Sequence, residues 1–146
     1  MFLTRELINS VTTAKAKVGA LRAVDSVVFP IFTDLHANSA SDPKVSMLCE
    51  LLTLICREIE CDMVVDLGDN PNMLGRSEHI SNSDLKKFFE DVLGQIYTAC
   101  GIPLVNVNGN HDAIGTDFFK PDFWNDIVKH KFGTDFAVYD ESGSYF

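Results

Sequence analysis

No stretch of this chain approaches the ~20 consecutive apolar residues that a helical membrane crossing requires, so no segment reads as a transmembrane helix. Positive charge is scarce as well: 12 Lys and Arg stand against 21 Asp and Glu, a formal net charge of -9. Non-specific grip on nucleic acid or on an anionic membrane depends on clustered Lys and Arg, so the charge balance disfavours both partners. It suits a protein that gathers carboxylates around cations, although solubility alone is a sufficient reason for an acidic surface. Four cysteines occur, Cys49, Cys56, Cys61 and Cys100, and none forms a C-x-x-C pair. A thiolate zinc knuckle or redox motif is therefore not indicated. The sequence reading is buried reduced thiols in a reducing, cytoplasmic compartment. The first residues also lack the continuous apolar core of a signal peptide. Leu3, Leu7, Val11, Ala14, Val18 and Leu21 recur instead at helical spacing, with Arg5, Lys15, Lys17 and Arg22 between them.

What the chain does have is an ordinary globular composition, 46% hydrophobic and 23% charged. Its 146 residues suit one domain with a real core. After the amphipathic helix of residues 1–24, Val27-Val28-Phe29-Pro30-Ile31-Phe32 reads as a buried strand, with Pro30 hinting at an edge or bulge. Asp42-Pro43 opens a helix carrying Val45, Leu48, Leu51, Leu52, Ile55 and Ile59 on one stripe. Met63–Leu67 is a second strand. Asn82 or Ser83 caps a third helix whose Leu85, Phe88, Phe89, Val92, Leu93 and Ile96 point inward, and Gly101 ends it. Ile102–Val107 is a third strand. Residues 25–112 thus alternate as βαβαβ, which predicts an α/β fold with a parallel sheet and right-handed crossovers. Residues 113–146 are crowded with Phe and Trp, and Asp140-Glu141-Ser142-Gly143 is turn chemistry, so a hairpin is expected from about Phe136. An end on Tyr145-Phe146, just past a turn, reads as a truncation.

Each strand runs into the same kind of residue. The first ends in Thr33-Asp34-Leu35-His36, the second in Gly68-Asp69-Asn70, the third in Asn108-Gly109-Asn110-His111-Asp112. The intervals match successive βαβ units of ~30 or more residues. In an open parallel sheet the strand carboxyl ends line one edge, where ligands bind. Asp34, His36, Asp69, Asn110 and His111 should therefore converge on one crevice. Carboxylates, imidazole and an amide oxygen suit Mn²⁺, Fe or Zn²⁺ rather than a soft-metal thiolate site. Alternation along an extended backbone would keep Asp34 and His36 on one side, with Leu35 opposite. Gly68 and Gly109 would free the backbone to turn sharply. Taken singly, an Asp at a strand end is more often a cap or turn residue. His79 and His130 read as solvated surface, and Asp66 as a strand residue or a support behind the ligands.

These strings, Asp34-x-His36, Gly68-Asp69 and Gly109-Asn110-His111-Asp112, resemble the signature of the calcineurin-like metallophosphoesterases. The match covers about the first half of a typical catalytic domain of that family. The resemblance implies the amino-terminal part of a four-layer α/β/β/α sandwich and a metal-dependent phosphoesterase. It implies two divalent metal ions, Mn, Fe or Zn, that clamp a phosphate mono- or diester and activate hydroxide for in-line attack. Asp34 and His36 would bind the first ion, Asp69 would bridge, and Asn110 would bind the second and meet the substrate. His111 would contact the phosphate and serve the leaving oxygen, with Asp112 orienting it. The partner would be a small phosphorylated substrate. The chain departs from the family in lacking a G-H-x-H string after Asp112 and the G-D-x-x-D-R-G form of the Ser/Thr protein phosphatases. The small bacterial or phage phosphoesterases are the nearest likeness. The competing reading is a non-catalytic phosphoesterase-like module for binding or assembly.

Overall fold

The computed structural model describes residues 3–72, 81–107, 109, 111–112, 132–133, 138–140 and 143–145. Three helices and a three-stranded parallel sheet, in the order β1-β2-β3, form the described body. Helix α1 (Arg5–Leu21) starts at Thr4, whose hydroxyl accepts from Leu7 N, satisfying one of the amides that the first turn leaves unpaired. Its apolar stripe turns inward, with Val11 buried and Leu21 exposed. Arg22 then donates to the carbonyls of Ile59 and Glu60 at 3.1 and 2.8 Å, holding α1 to the carboxyl end of the next helix.

That helix, α2 (Pro43–Ile59), begins as expected: Asp42 accepts from Lys44 N, and Pro43 occupies the first turn, where its missing N–H costs nothing. Helix α3 (Asn82–Cys100) begins one residue earlier than the sequence suggested. Ser81 is its cap, accepting from Asp84 N at 3.2 Å, so neither Asn82 nor Ser83 serves. Gly101 ends it in the left-handed conformation at φ 69°. Leu85, Phe88, Phe89, Val92, Leu93 and Ile96 are all buried. They meet Val45, Leu52 and Cys56 of α2 and the inner side chains of the sheet in one cluster. No helix among the described residues is long and apolar enough to cross a membrane.

Strand β2 (Val64–Asp66) is central and buried throughout; β3 (Leu104–Asn106) flanks it in parallel, with Asp66 opposite Asn106. Strand β1 (Ile31–Phe32) is shorter and less buried than the apolar run promised. Val27, Phe29 and Ile31 remain 58%, 41% and 57% exposed, so only one face of this edge strand meets the core. Pro30 accepts from Val65 N at 3.0 Å but has no N–H to return, and the regular ladder starts only beyond it. Upstream, the Asp62 carboxylate takes the Val28 amide at 2.7 Å in place of a ladder partner. The expected hairpin is present as β4 (Val138–Asp140) antiparallel to β5 (Gly143–Tyr145). Of the aromatic segment, Phe132 is described: it is buried and edge-on to Tyr97 at 5.8 Å. Phe118, Phe119, Phe123, Trp124 and Phe136, like His79 and His130, lie outside the described residues.

Candidate metal centre

Past the ends of β1 and β2 the two chains stay paired, though not as strands. Asp34 N donates to Gly68 O, His36 N to Asp69 O and Ala37 N to Asn70 O, at 3.1, 3.1 and 2.8 Å. The backbone here is not extended. Asp34, His36 and Asp69 adopt φ of 56°, 44° and 59°, the left-handed region that L-residues avoid at a cost of roughly 1–2 kcal/mol each. Alternation along a strand therefore does not explain how Asp34 and His36 come together; a left-handed kink at each does, and it turns Leu35 into the core. Among the described residues the one further non-glycine residue of this kind is Glu60, a helix cap. Backbone strain concentrated on candidate ligands is an observation from which a function can be inferred.

The two glycines work differently from each other. Gly68 has φ 88° and is also crowded: an added Cβ would collide with Gly109 N and approach Asp112 Oδ2 within 2.6 Å. At Gly109 the crowding comes from Asp69. A Cβ there would strike the Asp69 carboxylate. Gly109 is required by close approach of backbone to side chain.

Three of the expected residues meet tightly. Ligand atoms of His36, Asp69 and His111 lie within 4.8 Å of one another, the one such group of three or more among the described residues. The two imidazoles stand edge to face, centroids 4.2 Å apart. Asp69 Oδ1 accepts from the backbone N of His111 at 2.7 Å, which keeps His111 beside His36 and Asp69. Asp34 adjoins the group through His36, its Oδ1 3.4 Å from Nε2, while its Oδ2 accepts from Thr33 Oγ1. Asn110 lies outside the described residues. Nδ1 of His36 and Nδ1 of His111 are both buried without a hydrogen-bond partner. An orphaned buried nitrogen costs about 1–3 kcal/mol, and a coordinated cation is a natural partner for a neutral imidazole. Imidazoles beside carboxylates are the donor set of Mn, Fe or Zn, so the residues fit such an ion.

Two buried carboxylates hold the loops that carry these candidate ligands. Asp112 accepts from Asp69 N and Gly109 N through Oδ2 and from Asn70 N through Oδ1, at 2.8, 2.7 and 3.1 Å. Its carboxylate grips main chain and not the His111 ring, so any orienting of His111 passes through the backbone. Burial pushes its pKa up, against those three amides. Asp66 is fully buried and accepts from Gly68 N, Asn70 Nδ2 and Asn106 Nδ2 at 2.9, 2.7 and 2.6 Å. Desolvation pushes it up to about 7, although all three donors favour the charged form. Asn70 and Asn106 were not singled out by the sequence reading. The available signal was their position, a polar residue in or just beyond an apolar strand that must be buried.

Comparison with known proteins supplies no family: no family model matches the chain, and neither a curated protein nor a solved structure does.

Proposed function

We propose that this chain carries the ligand-bearing half of a metal-dependent phosphoesterase of the calcineurin-like kind, acting on a phosphate mono- or diester. The finer architecture proposed with it is the four-layer α/β/β/α sandwich, of which the parallel sheet and its helices would be one half. The observation that carries the reading is the pair of buried, partnerless Nδ1 atoms of His36 and His111 beside the Asp69 carboxylate. Such an arrangement is costly unless something electrophilic sits there.

His36, Asp69 and Asp34 would hold a divalent ion, Mn, Fe or Zn, and Asn110 is the candidate for a second. Bound there, the ions would polarise the phosphoryl oxygens and lower the pKa of water. The chain's own residues would do the rest. Asp112 fixes the amides of Asp69, Asn70 and Gly109, so the ligand loops are set before substrate arrives, as preorganised sites require. The Asp69 carboxylate holds the backbone amide of His111, and the imidazole carried there would bind a phosphate oxygen and pass a proton to the leaving group. The cations would offset the net negative charge of the chain for an anionic ester.

The test is a calorimetric titration with Mn²⁺, Fe²⁺ and Zn²⁺, joined to hydrolysis of an aryl phosphate monoester and diester by the full reading frame. Wild type should bind, and Asp69→Ala should lose binding and turnover together. His111→Ala should lower kcat more than it weakens metal binding. An Asp69→Ala variant that binds like wild type overturns the site. Metal binding without hydrolysis of either ester moves the reading to a non-catalytic phosphoesterase-like binding or assembly module.

A further inference from the structure

Along the segment that leads into β1 the side chains alternate in exposure. Ser26, Val28 and Pro30 are half-buried and Phe32 is buried, whereas Val27, Phe29 and Ile31 are exposed. The backbone groups alternate with them. The carbonyls of Val28, Pro30 and Phe32 accept from Asp62 N, Val65 N and Leu67 N at 2.8, 3.0 and 2.9 Å, so the even-numbered residues face β2. In an extended chain the N–H and C=O of one residue point to the same side, which turns those of Val27, Phe29 and Ile31 to the open edge. Among the described residues nothing pairs with them, and β2 is the one neighbour of β1. Native sheets blunt such an edge with charge or with Pro. No charged residue lies between Asp25 and Asp34. Pro30 does not serve either, because its missing N–H is on the β2 side. Leu67, two residues beyond the Val65 that pairs with Ile31, lies on the same face as Ile31. Of the eight large apolar side chains exposed among the described residues, five gather at this edge: Val24, Val27, Phe29, Ile31 and Leu67. Exposed apolar surface concentrated in this way marks an interaction site.

We propose that this edge is the interface of a symmetric homodimer, in which β1 of one copy pairs antiparallel with β1 of a second. The outward backbone groups set the register. Phe29 lies on the two-fold axis opposite itself, and Val27 of each copy lies opposite Ile31 of the other, each pair exchanging its backbone hydrogen bonds. Pro30 then faces Val28 in a pair that needs no hydrogen bond across the new edge, so its missing N–H costs nothing there. Opposed residues of an antiparallel pair share a face. Val27, Phe29 and Ile31 of both copies would therefore form one apolar band, with Leu67 at each end. Charge favours a second copy in this register. Continued outward, it sets Asp25 opposite Thr33 and Asp34 opposite Val24, so two acidic chains meet along an uncharged stretch and no carboxylate opposes another. The five side chains expose on the order of 500 Å² per copy, so the dimer would cover about 1,000 Å², the least that a specific interface needs. The association is accordingly reversible. Because the strands run oppositely, the two candidate metal centres would lie at opposite ends of the joined sheet, and the dimer does not depend on them.

The experiment measures the mass of the full chain by sedimentation, and its amide hydrogen exchange, across roughly 1–300 µM, the range that so small an interface implies. Wild type should pass from one copy to two as concentration rises, and the amides of Val27, Phe29 and Ile31 should slow about tenfold or more with it. The amides of Val65 and Leu67, bonded within the chain, should stay protected throughout. Phe29→Lys sets two cations opposite each other at the axis and should stay a single copy with the three amides fast. Met47→Lys, at an exposed apolar residue of α2, should dimerise as wild type does. The wild-type series decides the matter even if Phe29→Lys fails to fold. A single copy at every concentration overturns the proposal, whether the three amides are fast or are protected by another part of the same chain. So does a dimer that leaves those amides fast, or one that a folded Phe29→Lys variant keeps.

Discussion

At the beginnings of β2 and β3 the chain is held by apolar side chains and helix caps; at their ends it is held by carboxylates gripping amides. Gly101, at the first of these places, has open space where a Cβ would go. Gly68, at the second, is hemmed in by Gly109, Asp112 and Val107. Both residues have positive φ, so the difference is not conformation but proximity. Apolar packing yields gradually when a side chain shrinks, because neighbours relax into part of the space. A buried acceptor has no partial substitute, and its loss strands every donor that depended on it.

The largest expected effect tests that contrast directly. Asp112→Ala strands three amides at once and should cost about 3–5 kcal/mol in urea unfolding. Leu93→Ala in the apolar core should cost about as much, roughly 2–5 kcal/mol. Only Asp112→Ala should also weaken Mn²⁺ or Zn²⁺ binding, because Asp112, unlike Leu93, holds the Asp69 amide. Equal loss of metal affinity in both variants would erase the distinction between the two ends.

A smaller pair of effects comes from the glycines. Gly68→Ala combines left-handed strain with collision and should cost about 2–4 kcal/mol. Gly101→Ala meets nothing and should cost only the strain, about 1–2 kcal/mol. Equal midpoint shifts in the two variants would mean that proximity at Gly68 is relieved by loop movement.

A further effect is a pH dependence. Asp66 is raised in the folded protein to about 7 from an ordinary 3.8. The folded state therefore holds the proton more tightly than the unfolded state across that window. Its contribution to stability is complete below the unfolded value and is lost as pH rises through about 7. Asp66→Asn cannot titrate, so its stability should fall less steeply than wild type over that window in urea unfolding at fixed salt. A slope unchanged by the substitution would assign the pH dependence to other groups, Asp112 first among them, since its shift has the same direction.

Period and punctuation made much of the framework legible in advance. Asp42-Pro43 and Gly101 marked helix ends because caps act through local chemistry. The inward face of α3 followed from its apolar spacing, and all six residues expected there are buried. The length of β1 was misread because an apolar run states what can be buried, not whether a neighbour arrives to bury it. Val27, Phe29 and Ile31 are on the exposed face of an edge strand.

The sequence by itself determined the alternation of helices and strands, and hence that Asp34, His36, Asp69 and His111 would come to one edge of a sheet. Side-chain period and turn chemistry are local, and a local code can be read from a string. Only the tertiary structure decided that His111 joins His36 and Asp69 in one close cluster, that Asp112 clamps main chain, and that Asp66 binds Asn70 and Asn106. Each of those pairings spans a crossover, and which side chain meets which across it depends on how the helices pack and how the strand ends kink. Packing and kinking are settled by competition among all the elements for the same buried space, and no single segment of the chain contains that competition.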